Sequence, residues 1–324
     1  MKSLMKLVAL SVAIVIFVGA FPGYIPNAVA AGNSTSGIQT AASPDNGPLK
    51  AAPDISKVKM PAAAGTNVNR NQKAEIDYSN TADGYVMIKY LRETTKQLRV
   101  RITGPSEVTY QYTLKSDGNH EVYPLTDGSG SYAVCIYEQI EGTRYSTTTS
   151  IKISVKLTDE FAPYMRPNQY VNFKSDSAVV QKAGELVSGV DGLVDQVSAI
   201  YNFIIKNFSY DRQLAATVQS GYLPDVDKVL EKKKGICFDY AAVTTSMLRS
   251  QGIPTKLVVG YAGEAYHAWI SVYSAETGWI NDVIFFDGKE WKLMDPTFAS
   301  TSNQSAAFLK LIGDGTSYKV RYLY

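Results

Sequence analysis

The chain has 324 residues, 32 basic against 30 acidic side chains, and two cysteines. This length allows two ordinary domains. Lys2 and Lys6 are the only charged residues among the first thirty, so the remaining chain carries 30 basic and 30 acidic residues. Binding to nucleic acid or to an anionic membrane relies on a basic excess or a basic stripe. We therefore expect no nucleic-acid partner.

The first thirty residues have the pattern of a secretory signal. Lys2 and Lys6 precede an apolar run from Leu7 to Val18, and the small residues Ala28-Val29-Ala30 suit a signal peptidase. The alternative is an uncleaved membrane anchor, but the run is shorter than the roughly 20 residues that a spanning helix needs. No second candidate span follows. The sequence predicts a signal peptide over residues 1–30, a secreted or cell-envelope protein, and no membrane contact beyond that segment.

Residues 31–77 contain no aromatic residue and are dominated by Ala, Ser, Gly, Pro, Asn and Lys. A segment of this composition cannot bury enough apolar surface to offset the entropy of ordering. We predict a disordered linker over residues 31–77.

Residues 78–160 consist of short runs rich in Tyr, Val, Thr and Ile that alternate with period two. The strand candidates are Tyr85–Tyr90, Leu98–Ile102, Val108–Tyr112, Tyr132–Tyr137 and Ile151–Leu157. Several short strands at this spacing predict a small immunoglobulin-like β-sandwich. The domain is either a wall-binding or substrate-positioning module or a spacer that covers one side of the following domain. His120 lies beside a turn and is interpreted as a surface residue of this domain.

Residues 161–185 are predicted to form a connector interrupted by prolines. After it, apolar residues recur every three or four positions instead of every two. An amphipathic helix is expected over residues 193–208, a short one from Pro224, and a third from Cys237 to Gly252. Strands are expected thereafter, at Lys256–Tyr261, His267–Tyr273, Trp279–Phe285, Trp291–Met294 and Tyr318–Tyr324, with a hairpin turn at Asp287-Gly288. Helices followed by an antiparallel sheet predict an α+β domain over residues 186–324.

The two cysteines lie in different settings, Cys135 in an alternating strand pattern and Cys237 at a helix start. One disulfide is the ordinary expectation for two cysteines in an exported protein. It would require residues from separate domains to approach within about 7 Å between Cα atoms, so we expect free thiols instead. A zinc site would need both cysteines and both histidines to converge, so no metal site is predicted.

Cys237, His267 and Asp295 provide the three groups that a thiolate nucleophile requires. The start of a helix favours a thiolate and offers backbone N–H groups to an oxyanion. His267 begins a predicted strand, with Trp269 and Ser271 on the same face, and Asp295 follows another strand. Each residue also has an ordinary interpretation: a small buried cysteine, a core histidine, and an aspartate in a turn before proline.

Five segments in order resemble the transglutaminase-like superfamily. They are Gly235-Ile236-Cys237-Phe238-Asp239-Tyr240-Ala241, Met247-Leu248-Arg249-Ser250-Gln251-Gly252-Ile253-Pro254, Val259-Gly260-Tyr261, His267-Ala268-Trp269 and Trp291-Lys292-Leu293-Met294-Asp295-Pro296-Thr297. The likeness runs from about Leu186 to the carboxy terminus. It implies a papain-related α+β fold in which Cys237 is the nucleophile, His267 the general base and acid, and Asp295 the orienting carboxylate.

The resemblance also implies two further roles and a range of activities. Tyr210 lies where family members often have an aromatic residue before the nucleophile, and is either an oxyanion donor or a packing residue. Trp269 either walls the cleft or belongs to the core. The expected activity is cysteine acyl transfer without a cofactor, on an extracellular protein or cell-wall peptide. A cysteine peptidase or amidase on the same site, and a surface binding or scaffold protein with a vestigial triad, are the alternatives.

Overall fold

The computed structural model describes residues 57–262, 265–275, 278–280 and 318–324. These residues form a β-rich region followed by a region of helices and strands. No helix among the described residues combines the length and the apolar character needed to cross a membrane.

The β-rich region contains eight strands in two antiparallel sheets. The strands are β1 (Val68–Arg70), β2 (Ala74–Asp77), β3 (Tyr85–Tyr90), β4 (Leu98–Thr103), β5 (Thr109–Leu114), β6 (Glu121–Pro124), β7 (Gly130–Glu141) and β8 (Arg144–Val155). One sheet has the order β1-β2-β3-β6 and the other β5-β4-β7-β8. The five strands expected from alternation are confirmed as β3, β4, β5, β7 and β8. The immunoglobulin-like arrangement stays a prediction.

Alternation explains why these segments form half-buried strands. In β4, Leu98, Val100 and Ile102 are buried, whereas Arg99 and Arg101 between them reach towards solvent. A strand with one face on a core shows this pattern because successive side chains point to opposite faces. The buried side chains of both sheets belong to one hydrophobic core.

The prediction of a disordered linker up to residue 77 is wrong for residues 68–77, which form β1 and β2. Ala74 and Ile76 are fully buried, and β2 pairs with β3 over four residues, from Ala74↔Tyr90 to Asp77↔Met87. Pairing of β2 with β3 therefore orders this segment, although its local composition alone does not predict order.

His120 is not a simple surface residue. Its Nε2 lies 3.0 Å from Oε1 of Glu75, which is buried in β2. Lys89 and Arg70 contact the same carboxylate at 3.1 Å and 3.2 Å. The buried charge of Glu75 is therefore compensated by three basic side chains.

The second region contains five α-helices and six strands among the described residues. In chain order they are α1 (Ala178–Val187), α2 (Leu193–Asn207), β9 (Ser209–Tyr210), α3 (Arg212–Thr217), α4 (Val226–Lys232), β10 (Lys234–Gly235), α5 (Cys237–Ser250), β11 (Thr255–Ala262), β12 (Ala265–Ser274), β13 (Gly278–Ile280) and β14 (Tyr318–Leu323). The last four form an antiparallel sheet of order β13-β12-β11-β14. The α+β order, helices and then an antiparallel sheet, is confirmed.

Helix α5 is the centre of this region. It packs against α1, α2 and α4 and also against β11 and β12. From Asp239 to its end all of its residues are buried, polar ones included. The predicted start at Cys237 is confirmed, and Gly252 just past the helix adopts a left-handed conformation, with φ of 77°. Pro254 follows, so the chain leaves the helix and enters β11.

Some boundaries differ from the expectations. Helix α1 begins at Ala178, inside the segment assigned to the connector, because Val179, Val180 and Ala183 give it a buried face. Helix α4 begins at Val226 rather than Pro224, since the Asp225 carboxylate accepts a hydrogen bond from the Lys228 N–H at 3.2 Å and caps it. The predicted strand Trp291–Met294 and the turn Asp287-Gly288 lie outside the described residues.

An aromatic cluster joins the two regions. It comprises Tyr110 and Tyr112 of β5, Tyr170 of the connector, Phe238 of α5, Tyr322 of β14, and Tyr324. The Tyr110 and Tyr324 rings meet edge to face at 5.7 Å, and the Tyr170 and Phe238 rings lie 5.5 Å apart. These contacts place the β-rich region against the start of α5.

Candidate active site

Cys237 is the first residue of α5 and is partly buried. Both cysteines are free, so Cys237 is not held in a disulfide. The first N–H groups of a helix have no partner within the helix, and the helix dipole places partial positive charge there. The backbone N–H of Cys237 is therefore placed where it can serve as a donor for an oxyanion.

Asp239 fixes the first turn of α5. Its carboxylate accepts a hydrogen bond from the backbone N–H of Ile236 at 2.8 Å, and the Tyr222 hydroxyl donates to its other oxygen at 2.7 Å. Burial raises the pKa of Asp239, while the two hydrogen bonds act in the opposite direction. The side chain is fully buried, so we interpret Asp239 as a residue that stabilises the start of the helix.

A short parallel pair of strands places Tyr210 beside the start of α5. Strand β9 pairs with β10, with Tyr210 opposite Gly235, two residues before Cys237. The Ser209 N–H donates to the Lys233 carbonyl at 2.9 Å, and the Asp211 N–H donates to the Gly235 carbonyl at 2.8 Å. Tyr210 therefore lies in the immediate neighbourhood of Cys237, as an oxyanion donor must. Its role stays a prediction.

His267 lies near the start of β12, opposite Gly260 of β11. It is 7 % exposed, and its ring is stacked with that of Trp269 at a centroid distance of 6.3 Å. The predicted common face of His267 and Trp269 is thus confirmed.

Tyr266 precedes His267 in β12, and this strand packs against α5. Partial burial raises the pKa of the Tyr266 hydroxyl, and the positive charge of Arg321 lowers it. A general base for Cys237 is expected on this strand.

Trp269 is 2 % exposed and packs over Gly260, where an added Cβ would stand 2.9 Å from Trp269 Cη2. This burial favours the core alternative over an exposed cleft wall. Asp295 lies outside the described residues. The structure thus places Tyr210 beside the start of α5 and packs β12, which carries His267, against α5. The role of Asp295 stays a prediction.

Three residues at the site had no role assigned from sequence: Asp239, Tyr222 and Tyr266. For Asp239 a signal existed, because an acidic residue at the third position of a helix often reaches back to the residue before the helix. Nothing in the sequence connects Tyr222, seventeen positions upstream, to that carboxylate. In the described ranges, no three His, Cys, Asp or Glu side chains lie close enough to hold a metal ion.

Comparisons with known proteins agree with this architecture. Residues 180–282 match the sequence model of the Transglutaminase-like superfamily, a range that includes Cys237 and His267 and ends before Asp295. The uncharacterized protein YebA of Bacillus subtilis is 25% identical over 197 residues, which cover 52% of this chain and 26% of that protein. The match thus spans about a quarter of the length of this relative.

Among solved structures, a putative cysteine protease from Cytophaga hutchinsonii matches 80% of this chain and 74% of its own, with 14% identity and a TM-score of 0.38. The periplasmic domain of TgpA from Pseudomonas aeruginosa matches 65% of this chain and 92% of its own, with 17% identity and a TM-score of 0.32. Likenesses at this level say nothing about activity. The family match and the order of the elements together show that this chain contains a transglutaminase-like superfamily domain over residues 180–282.

Proposed function

We propose that the protein is an exported cysteine acyl-transfer enzyme that acts on carboxamide or peptide carbonyls. The observation that carries this proposal is the position of Cys237: a free, partly buried thiol on the first residue of a buried helix, inside the transglutaminase-like domain. A thiol placed there to pack as a small hydrophobe would not need a helix start.

The proposed reaction has two halves. The Cys237 thiolate attacks the carbonyl carbon, and the backbone N–H of Cys237, with the Tyr210 hydroxyl as a second candidate donor, stabilises the oxyanion. Protonated His267 then gives its proton to the departing ammonia or amine, and an acyl-thioester remains on Cys237. Asp295 is proposed to hold the His267 ring in the tautomer that these transfers require.

In the second half, His267 takes a proton from water or from an amine, which attacks the thioester and releases Cys237. The acceptor decides between hydrolysis and crosslinking, and depends on how well water is kept from the thioester. The signal-like leader supports an extracellular protein or a cell-wall peptide as substrate, and a secreted or envelope location.

Incubation of the purified chain with casein and a fluorescent amine tests this function. Incorporation of the amine by the wild-type chain but not by Cys237→Ala supports a transglutaminase. Fragments or released ammonia without incorporation identify a peptidase or amidase at the same site. Cys135→Ser is the matched control, because Cys135 lies on β7 in the β-rich region, and it should retain full activity.

The remaining alternative, a binding or scaffold protein with a vestigial triad, makes a separate prediction. Exposure of the chain to iodoacetamide at mildly acidic pH would then modify Cys237 no faster than an ordinary thiol, which is protonated there. Rapid and selective modification of Cys237 would exclude this alternative, whereas slow modification together with absent activity would overturn the proposed enzyme.

A further inference from the structure

Two exposed tyrosines lie side by side at one end of the antiparallel sheet. Tyr261 of β11 is paired with Tyr266 of β12, and their rings meet edge to face at 5.5 Å. Tyr261 is 37 % exposed and Tyr266 is 53 % exposed. A group of exposed aromatic rings, unlike a single one, is typical of a binding surface.

A β-bulge in β14 adds a cation to these rings. Tyr322 of β14 lies opposite Val259 of β11, and Val320 lies opposite Gly260. Arg321 is therefore an extra residue between two paired ones. Because a bulge re-aims side chains, Arg321 leaves the regular alternation of the strand. Its guanidinium carbon lies 5.1 Å from the centroid of the Tyr322 ring.

Gly260 permits the close approach of the two strands at this bulge. A Cβ atom added at position 260 would collide with the Lys319 carbonyl oxygen and would stand 2.9 Å from Trp269 Cη2. A side chain at this position would thus push β14 away from β11. Gly260 also lies opposite His267. The bulge therefore lies next to the residue pair that contains the candidate general base.

The end of the sheet that carries the two tyrosines lies level with the start of α5. Residues 251–254 connect α5 to β11, and the two elements pack together, so β11 runs back along the helix. The 14 residues of α5 span about 21 Å, and the 8 residues of β11 span about 26 Å. The end of β11, where Tyr261 lies, therefore reaches the first turn of α5.

Ring contacts link Arg321 and its tyrosines to the residue that follows Cys237. The Tyr322 ring lies 6.1 Å from that of Tyr324, which lies 4.4 Å from that of Tyr170. The Tyr170 ring in turn lies 5.5 Å from that of Phe238. These rings form a continuous aromatic surface that ends beside the proposed nucleophile.

The charge and the hydroxyl groups of this surface suit an anion. Arg321 is exposed and interacts with the hydroxyls of Tyr322, Tyr266 and Tyr261. No carboxylate of the described residues forms an ion pair with its guanidinium. Partial burial keeps the pKa of the Tyr266 hydroxyl above its ordinary value although Arg321 lowers it, so this hydroxyl is a donor at neutral pH.

Resting on the proposed function, we propose that Arg321, Tyr266 and Tyr261 form the surface that binds the acyl donor, and that this donor is a peptide with a carboxylate near the reacting carbonyl. The guanidinium would bind the carboxylate through two parallel hydrogen bonds. The Tyr266 hydroxyl donates to the same group, and the Tyr261 ring packs against the apolar part of the peptide. These residues select the substrate and take no part in bond breaking.

Binding of fluorescent glutamine peptides to the full chain with Cys237→Ala tests this surface without turnover. Three peptides differ in one group: a glutamate beside the glutamine with an amidated end, a free terminal carboxylate beside the glutamine, or neither carboxylate. Fluorescence anisotropy at low ionic strength measures their affinities. At least one charged peptide should bind more tightly than the neutral one, and the tighter of the two identifies the source of the carboxylate.

Arg321→Gln should weaken binding of the preferred charged peptide about fivefold and leave that of the neutral peptide unchanged. Arg321→Lys keeps the charge but not the two parallel hydrogen bonds, so it should recover part of the affinity. Tyr266→Phe should weaken binding about twofold, because it removes one donor and keeps the ring.

Arg99→Gln is the matched control. Arg99 lies on the solvent face of β4, with its guanidinium carbon 4.3 Å from the centroid of the Tyr145 ring, so it presents the same chemical pair on another surface. Its replacement should leave every affinity unchanged. Circular dichroism establishes that each variant is folded, and Arg321→Lys decides if Arg321→Gln is not.

Equal binding of the charged and neutral peptides, or an equal loss for both in Arg321→Gln, would overturn the proposed surface, as would absence of binding by all three peptides. The proposed function fails separately. If the wild-type chain binds the charged peptides but neither releases ammonia from them nor incorporates an amine, acyl transfer is wrong and the binding surface stands.

Discussion

Gly235 and Asp239 lie so close together that a Cβ atom added at position 235 would stand 2.6 Å from the Asp239 Cβ and 2.8 Å from its Oδ2. Real Cβ atoms do not approach other atoms this closely, so a side chain at position 235 would displace the carboxylate that anchors the start of α5. This contact explains physically why a glycine precedes Cys237 by two positions.

We expect Gly235→Ala to lower the free energy of unfolding by about 2 kcal/mol through overpacking. It should also lower the alkylation rate of Cys237, because displacement of the Asp239 carboxylate distorts the first turn of α5, on which Cys237 lies. Urea denaturation and mass-spectrometric alkylation measure the two effects. Gly252→Ala is the control: its φ of 77° strains an alanine, at a cost of about 1 kcal/mol, but the nearest atom, Lys57 Cβ, lies 3.6 Å away. Equal loss of alkylation in both variants would contradict this interpretation.

Substitution of Arg249 should strongly lower the stability of the α+β region. It is fully buried and donates to three main-chain oxygens, those of Thr255 at 2.9 Å, Arg166 at 2.6 Å and Tyr324 at 2.7 Å. Burial lowers the pKa of its guanidinium, so these oxygens replace the lost hydration. Arg249→Lys should lose about 3 kcal/mol of stability, since an ammonium cannot reproduce the planar array of donors.

Thermal and urea unfolding test this expectation against Arg101→Lys. Arg101 is exposed on β4 and contacts Gln111 at 3.1 Å, so its replacement should change stability by less than about 0.5 kcal/mol. A loss for Arg249→Lys as small as that for Arg101→Lys would show that the three oxygens find other donors.

The stabilisation that Glu75 gives to the β-rich region should be lost at acidic pH. Burial alone would raise its pKa, but hydrogen bonds from Lys89 and His120 outweigh burial and hold the pKa below the ordinary value. A carboxyl whose pKa is lower in the folded state stabilises above its unfolded pKa, and this stability is lost as the pH falls through the folded pKa. Glu75→Gln should therefore cost about 2 kcal/mol at pH 7.

The difference between wild type and Glu75→Gln should shrink steadily below about pH 4.5, the ordinary value for glutamate. Urea denaturation at several pH values between 3 and 7 measures it. A difference that stays constant over this range would show that the charge of Glu75 contributes nothing.

Lys256 should make the protein more stable as the pH rises above neutrality. Its ammonium lies 3.7 Å from the ring centroid of Trp279 and 5.1 Å from that of Tyr164, and burial lowers its pKa to about 8. The unfolded state then binds more protons than the folded state between about pH 8 and 10.5, so the free energy of unfolding increases with pH in that window.

Lys256→Met removes the titration and keeps an apolar chain between the rings. The stability of the wild type relative to this variant should rise from pH 8 to pH 10, as measured by urea denaturation. A stability difference between the two proteins that does not change with pH would place the pKa of Lys256 near the ordinary value of about 10.4.

The sequence predicted those parts of the fold in which a local pattern and tertiary burial agree. Tyr85–Tyr90 is rich in β-branched and aromatic residues and forms β3 with those bounds. The start of α5 at Cys237 and the left-handed Gly252 were also readable, because glycine and proline fix the end of the helix. Strands β1 and β2 were missed because two buried apolar side chains, Ala74 and Ile76, are too few to show a period.

At the site, sequence reasoning named the candidates for chemistry but not the residues that hold them in place. Cys237 and His267 stand out by residue type. Asp239 contacts Tyr222 and Gly235, and only the fold brings Tyr222 to that carboxylate. Likewise, only the fold packs β12, which carries His267, against α5. Contacts of this kind depend on tertiary packing and leave no spacing in the sequence.

The aromatic cluster described above has a practical consequence for anyone who shortens this protein. Tyr324 covers Tyr110 and Tyr170, and Tyr170 covers Phe238, the neighbour of Cys237. A fragment cut within the connector would expose these rings to water on both halves, and large exposed apolar patches promote aggregation. Expression trials should therefore keep residues 57–324 intact, because the β-rich region and the α+β region share these aromatic contacts.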